Sequence, residues 1–154
     1  MMRVSYQELY DALLKALVTT AIEPERAQLC ARLIADTTRD GVYSHGLNFF
    51  PRLMTMIGRG LVDVRARPVR VSGYGGLERW DGRQGLGNLN AYACMEAAIG
   101  LSRTHGIGCV ALANTNHWMR GGTYGWQAAD AGVIGICWTN TVPNLPPWGA
   151  DVGA

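Results

Sequence analysis

The sequence predicts one mixed α/β (α+β) domain, or part of a larger one, in which N-terminal helices precede a βαβ-type layer. Glycine is unevenly distributed, because 16 of the 20 glycines lie between Gly73 and Gly153, where tight turns would join short elements. Before that point apolar residues recur at helical spacing, whereas later runs alternate or are continuously apolar, as strands are. We therefore divide the chain into a helical segment, 1–66, and the first part of an α/β domain, 67–154, whose remainder we expect to be missing.

Three helices are predicted in the first segment. Ser5 and Glu8 stand at the spacing of a capping box and begin the first helix. Pro24 suits the first turn of the second, where its missing N–H costs nothing. A third helical stretch follows Ser44, but Pro51 restricts the residue before it, so the regular helix is expected to start only near there.

The second segment is predicted to alternate strands with helices. Strands 68–72 and 77–80 are separated by a glycine-rich turn and are expected to form a hairpin. Two later runs are almost entirely apolar and are expected to be buried strands with some parallel pairing. These elements are strands at 68–72, 77–80, 107–112 and 133–138, and helices at 88–104 and 123–131.

Composition excludes several classes of function. The chain of 154 residues is 48% hydrophobic and 17% charged, which favours a folded core over disorder. Its net charge of +2 is small and scattered, so no nucleic-acid partner is predicted. No apolar run reaches the roughly 18 residues that span a membrane, and the N-terminus lacks the apolar centre of a signal peptide. We predict a cytoplasmic protein without a membrane partner.

The cysteines give no indication of a metal site. Cys30, Cys94, Cys109 and Cys137 lie far apart, and no C-x-x-C or close Cys/His pair occurs. Structural zinc needs such clustered ligands. The sequence therefore predicts four reduced, buried thiols and no metal.

His45 and Arg52 form the first candidate site. They stand seven residues apart, about two turns if one helix carries both. A histidine can protonate the oxygen of a carbonyl that is being reduced, and an arginine can bind a carboxylate through two hydrogen bonds. The alternative is a histidine that caps its own turn beside a solvated arginine. Ser44 is not expected to pair with His45 as nucleophile and base, because adjacent side chains rarely meet.

His117 forms the second candidate site. It follows a predicted strand in a loop with asparagines and paired glycines, and ligands collect at the carboxyl ends of strands in α/β sheets. The alternative is an irregular loop with a surface histidine. The glycines of 82–87 have the wrong order for a dinucleotide-binding fingerprint and are predicted to form a turn.

Five sequence runs resemble the type-2 malate/L-lactate dehydrogenase family. They lie at 38–46, 50–52, 116–129, 135–140 and 146–150, and read TRDGVYSHG, FPR, NHWMRGGTYGWQAA, GICWTN and PPWGA. The resemblance implies a fold that is not a Rossmann fold, a homodimer, and NAD(P)H-dependent oxidation and reduction of 2-hydroxy and 2-keto acids or related imino acids. Family members are roughly twice as long, so this chain would match their N-terminal half.

The resemblance also implies roles for individual residues. His45 would be the proton donor, Arg52 would contact the substrate carboxylate or the cofactor, and His117 would lie close to the reacting atoms. The cofactor is expected to be NADH, with NADPH not excluded. Its predicted contacts are Ser44, Arg120, Gly121, Gly122, Thr139 and Asn140.

The resemblance leaves several substrates open. The runs at 118–122 and 146–150 favour a small keto acid of the 2,3-diketo-L-gulonate type. Malate, lactate, ureidoglycolate and cyclic imino acids remain alternatives. A different possibility is an inactive fragment that serves only as a dimerisation or binding module, since a half-length chain would expose core surface and be poorly soluble.

Overall fold

The computed structural model describes residues 3–140 of the chain. The run at 146–150, which contributes to the family resemblance, lies outside the described residues, as does the C-terminal part of the predicted second segment. Within residues 3–140, no helix is long and apolar enough to cross a lipid bilayer.

The three predicted N-terminal helices are confirmed. Ser5 accepts the Glu8 N–H, and the Glu8 carboxylate accepts the Ser5 N–H at 2.7 Å, so the capping box is formed in both directions. Two short 3₁₀ turns, Tyr43–His45 and Leu47–Phe49, precede the third helix. The helices are α1 (Tyr6–Leu17), α2 (Pro24–Arg39) and α3 (Phe50–Gly58).

A three-stranded sheet follows the helices. Its order is β1-β2-β3, with β1 and β2 antiparallel and β2 and β3 parallel. The predicted hairpin is therefore confirmed, as is a βαβ-type layer, although β2, α4 and β3 form it rather than the two later apolar runs. The elements are β1 (Val69–Tyr74), β2 (Leu77–Asp81), α4 (Gly87–His105), β3 (Cys109–Ala113) and α5 (Gly122–Asp130).

The two predicted buried strands differ from the structure. The first, β3, lies at the edge of the sheet and is only partly covered, and the neighbouring Ile107 is 70% exposed. The second prediction is wrong, because 133–138 forms no strand and Ile134 is 94% exposed. An apolar run becomes a strand only where a neighbouring strand accepts its hydrogen bonds, and no described strand pairs with 133–138.

The hydrophobic core lies where α1 and α2 meet the start of α4. Eight of its side chains are almost fully buried: Leu13, Leu17, Ala27, Cys30, Ala31, Ile34, Ala35 and Leu86. The prediction of four buried thiols holds for Cys30 and Cys94 but is wrong for the other two. Cys109 lies on the edge strand and Cys137 lies in the unpaired segment, so both are only half-buried, and all four thiols are free.

A buried arginine joins α2 to the segment that leads into the sheet. Arg26 of α2 donates from Nη1 to the Val64 carbonyl and from Nη2 to the Ala66 carbonyl, both at 2.7 Å. These two hydrogen bonds compensate the guanidinium for the loss of water, which would otherwise make its burial unfavourable. They fix the segment between α3 and β1 against α2.

Candidate functional site

The first wall of the site is the 3₁₀ turn that carries His45. The turn is held by Thr38 at the end of α2, whose hydroxyl donates to the Ile34 carbonyl and accepts the Leu47 N–H at 2.9 Å. Gly46 packs directly on Thr38, and a Cβ at position 46 would overlap the Thr38 hydroxyl. A glycine after the histidine is therefore required for the turn to close on α2.

The Ser44 hydroxyl meets the His45 ring. Their Oγ and Nδ1 atoms are 2.9 Å apart, so these adjacent side chains do meet, although the contact does not test the prediction that they are not a nucleophile and its base. The tight 3₁₀ turn brings them together, a geometry that the sequence pattern does not reveal. When the ring is protonated, its Nδ1–H donates to the Ser44 hydroxyl oxygen, and the Nε2 proton is the one that can be given to a ligand, which leaves a neutral imidazole.

The second wall is the loop 114–121 that follows β3. Asn116 donates from Nδ2 to the Gln84 carbonyl at 2.7 Å, which ties the loop to the turn after β2. Gly87, the first residue of α4, lies against the carbonyls of Asn116 and His117 so closely that a Cβ there would overlap both. The Tyr124 hydroxyl of α5 donates to the Trp118 carbonyl. Contacts from three elements thus fix this loop.

His117 brings the two walls together. Its ring centroid lies 5.5 Å from that of His45 and 4.9 Å from that of Phe49. Packing against these rings withdraws the imidazole from water although one edge stays exposed, and this desolvation lowers the pKa of His117. The charges of His45 and Arg52 lower it further. This lowered pKa favours the neutral form of His117 near pH 7.

A cavity of about 370 Å³ lies between the two walls. This volume is in the range of small-molecule sites. It combines predicted residues from three separate sequence runs, so the structure places six of the nine predicted site residues in one lining. The lining residues are Val42, His45, His117, Trp118, Met119, Arg120, Gly121, Thr139 and Asn140.

The other three predicted residues lie beside the cavity. Ser44 contacts the back of the His45 ring, and Gly122 begins α5 next to the Arg120 guanidinium. Arg52 is exposed, with its guanidinium carbon 5.9 Å from the centre of the Phe49 ring. The regular helix begins at Phe50, so the interval from 45 to 52 is not two turns of one helix as the spacing had suggested.

An ion pair links the two walls. Arg120 donates from Nη1 to the Asp40 carboxylate at 2.8 Å, and Arg39 contacts the other carboxylate oxygen at 3.3 Å. The hydrogen bond from Arg120 is the main reason that the pKa of Asp40 lies below its usual value. Sequence reasoning missed Asp40 as a site residue, although it stands within the TRDG run that carries the resemblance.

The side chains that line the cavity could hold a polar group of a cofactor. Among residues 3–140, no group of three His, Cys, Asp or Glu side chains is placed to hold a metal ion. The side chains of Thr139 and Asn140 offer the donors and acceptors that a carboxamide needs, on the same cavity as His45.

The glycine turn at 82–87 is confirmed as a turn, and its Gly82 carbonyl is bonded to the Asn90 amide at 2.8 Å.

Comparison with known proteins places the chain among dehydrogenases. Residues 4–153 match the family model described as malate/L-lactate dehydrogenase. The chain is 49% identical over 149 residues to the 2,3-diketo-L-gulonate reductase of Shigella boydii and 48% identical to that of Escherichia coli. These matches cover 97% of the chain but 45% of each relative, so the chain spans less than half the length of these curated relatives.

Solved structures show the same fold. A malate dehydrogenase from Pyrococcus horikoshii superposes with a TM-score of 0.82 at 28% identity, over 85% of this chain and 38% of that one. A delta1-piperideine-2-carboxylate reductase from Pseudomonas syringae superposes with a TM-score of 0.74 at 27% identity, over 84% of this chain and 40% of that one. These superpositions confirm the predicted fold class, which is the mixed α/β fold of the malate/L-lactate dehydrogenase family.

Proposed function

The chain belongs to the malate/L-lactate dehydrogenase family, and from this membership we propose that the protein reduces a 2-keto acid of the 2,3-diketo-L-gulonate type to the 2-hydroxy acid. The observation that carries the proposal is the placement of His45, with Nδ1 engaged by Ser44, on one cavity with Arg120, Thr139 and Asn140. The names of the relatives at 48–49% identity support this substrate class.

In the proposed reaction the chain supplies the proton and the binding groups. The imidazolium form of His45 donates its Nε2 proton to the carbonyl oxygen, which gains negative charge as the carbonyl carbon is reduced, and the ring is left as neutral imidazole. The Ser44 hydroxyl engages Nδ1, so Nε2 is the nitrogen left to transfer the proton. His117 packs beside the donor, with the two ring centroids 5.5 Å apart. A nicotinamide cofactor, when bound, supplies the hydride that forms the new C–H bond.

We further propose where the cofactor binds. Thr139 and Asn140 would hold the nicotinamide carboxamide, with Ser44, Gly121 and Gly122 beside it. Their donor and acceptor groups supply the hydrogen bonds that a neutral amide requires. NADH as the preferred cofactor, a homodimeric assembly and a cytoplasmic location remain predictions.

The proposed role of His45 is tested by His45→Ala in the protein. General-acid catalysis contributes about 10²–10⁴-fold in rate, so kcat for the keto acid should fall by that factor. His105→Ala, at the exposed end of α4, is the control and should keep normal turnover. Steady-state kinetics with both variants checks the prediction, and near-normal turnover by His45→Ala would remove this residue from the role.

A second candidate substrate is a cyclic imino acid. The solved neighbour from Pseudomonas syringae is described as a reductase of delta1-piperideine-2-carboxylate. A panel containing diketogulonate, oxaloacetate, pyruvate and a cyclic imino acid, each with NADH and NADPH, separates the candidates. A strong preference for any compound over diketogulonate would overturn the proposed substrate type.

The remaining possibility is a chain without catalytic activity that only dimerises or binds. Calorimetry of NADH with the 154-residue chain distinguishes it from the proposed enzyme. Tight NADH binding together with turnover would exclude the inactive form.

A further inference from the structure

The cavity lining carries a single permanent charge among the described residues. Arg120 supplies it, and no acidic side chain is part of the lining. The lowered pKa of His117 favours its neutral form, and Arg52 lies outside the lining, near the Phe49 ring. A 2-keto acid enters such a site as an anion, so its carboxylate requires a cation that faces the cavity.

We propose that Arg120 binds the carboxylate of the substrate and that Asp40 is the positioning residue that holds its guanidinium. This inference rests on the proposed function, because it assumes that the ligand is a keto acid. The family resemblance predicts a cofactor contact for Arg120 and a carboxylate contact for Arg52. The lining instead favours Arg120 as the residue that contacts the carboxylate, because Arg120 and not Arg52 faces the cavity.

The geometry of Arg120 suits this role. Its side chain is 16% exposed and is fixed at one end, where Nη1 donates to Asp40 at 2.8 Å. Within residues 3–140, Asp40 is the one hydrogen-bonding partner of the guanidinium, so donors at Nε and Nη2 remain available. A planar guanidinium with two free donors can bind a carboxylate through parallel hydrogen bonds, which a lysine cannot do.

Gly122 makes room for the guanidinium. A Cβ at position 122 would lie 3.0 Å from Arg120 Nε, closer than nearly all real contacts of this kind. The glycine therefore lets the flat group lie against the start of α5. This gives a physical reason for the order Arg120-Gly121-Gly122 in the loop.

Asp40 orients the cation without facing the ligand. It lies at the end of α2, outside the lining, and its carboxylate is bonded to Arg120 on one oxygen and to Arg39 on the other. A carboxylate so engaged fixes the direction of the arginine, as a second layer of hydrogen bonds does around other binding groups. The substrate then meets the free edge of the guanidinium.

The decisive experiment compares Arg120→Ala with Arg120→Lys, Asp40→Asn and Arg52→Ala by steady-state kinetics on a keto acid and on its neutral amide. Arg120→Ala should raise KM for the acid by about 10- to 100-fold, the effect of losing a charge-assisted pair, and leave KM for the amide and for NADH within about twofold. Arg120→Lys should raise KM for the acid less than Arg120→Ala does, because lysine restores the positive charge but not the pair of parallel hydrogen bonds. Arg103→Ala, an exposed arginine on α4, is the matched control.

Asp40→Asn gives the readout specific to positioning. It should raise KM for the acid by less than Arg120→Ala does, with kcat nearly unchanged and no effect on the amide. Added to Arg120→Ala, it should have little further effect, because the group that it positions is gone. If a variant were only less well folded, KM would change for the acid and the amide alike, and thermal unfolding would show the loss of stability. A change of KM for the acid alone is therefore specific to positioning.

Two outcomes would overturn the assignment. If Arg120→Ala raises KM for NADH and not for the acid, Arg120 contacts the cofactor. If Arg52→Ala removes the preference for the acid while Arg120→Ala keeps it, Arg52 is the carboxylate ligand. Calorimetric binding of oxamate, an unreactive keto-acid mimic, to the wild type and to Arg120→Ala tests the inference even if no substrate is turned over. Absent turnover contradicts the proposed function, whereas equal oxamate affinity contradicts the role of Arg120.

Discussion

The helical layer and the sheet differ in how completely their apolar side chains are covered. In the helical layer Leu17 of α1 is fully buried, and its neighbours on α2 are packed equally well. In the sheet Tyr74 at the end of β1 is 89% exposed, and Leu77 at the start of β2 is 56% exposed. Burial of apolar area is the main favourable contribution to folding, so the helical layer should provide most of the stability of this chain.

The cavity lies between these two layers and depends on both. The His45 turn is closed on α2, inside the well-packed layer. The loop with His117 and Arg120 leaves the sheet layer and is held by a few contacts from Asn116, Gly87 and Tyr124. One wall is therefore supported by a core, whereas the other depends on individual contacts.

The largest expected effect is on the free energy of unfolding, and it compares the two layers directly. Leu17→Ala should lower the free energy of unfolding by about 2–5 kcal/mol, because it leaves a cavity in a core that cannot collapse fully. Leu77→Ala removes a side chain of the same size from an exposed site and should cost less than about 1 kcal/mol. Urea denaturation of both variants gives the comparison. Equal losses would mean that the sheet face is covered in solution.

A smaller effect is expected where single contacts support the second wall. Gly87→Ala should cost about 1–3 kcal/mol, because the new methyl group forces apart α4 and the carbonyls of Asn116 and His117. Gly100→Ala on the same helix meets no atom within 4 Å and should stabilise by about 0.4–1 kcal/mol. The Tm should fall for Gly87→Ala and rise slightly for Gly100→Ala, whereas KM for the keto acid should change for Gly87→Ala only. If Gly87→Ala behaves like Gly100→Ala, the loop is not held by this contact.

These two layers also differ in how well they could be predicted. The helices were found from Ser5, Pro24 and the apolar spacing, because caps and periodicity are local. The stretch 133–138 was misjudged because its apolar residues predict a strand only if a partner strand exists, and pairing is not local information. The bond between Asp40 and Arg120 was missed for the same reason, since 80 residues separate them.

For the site, residue types were predicted better than geometry. His45, His117 and Arg120 were identified by motif and lie on one cavity. The direct contact between Ser44 and His45 was not foreseen, because it depends on a 3₁₀ turn rather than on a continuous helix. The predicted roles of these residues await the kinetic tests above.

The smallest expected effect concerns the pH dependence of stability. The pKa of His117 is lower in the folded chain than in the unfolded one, so the unfolded state binds the proton more readily. The contribution of this neutral ring is complete above the unfolded pKa, near 6.5, and is lost as the pH falls toward the lower folded value. His117→Gln should reduce the slope of unfolding free energy between pH 7.5 and about 5.5, a change below about 1 kcal/mol because the ring is partly exposed.

The control for this measurement is His105→Gln on the exposed end of α4. It should leave the slope between pH 7.5 and 5.5 as in the wild type. An unchanged slope in His117→Gln would show that the packing against His45 and Phe49 does not perturb the imidazole in solution.

The parallel pairing of β2 with β3 has a consequence for how the cavity is assembled as the chain folds. The bond that closes the His45 turn joins residues nine apart, whereas the bond between Arg120 and Asp40 joins residues 80 apart. The entropic cost of closing a loop grows with its length. The turn with His45 can therefore form while the chain is still short, whereas the loop with His117 and Arg120 can dock against it only after α4 has crossed over. During synthesis the wall that carries His45 would form before the wall that carries Arg120.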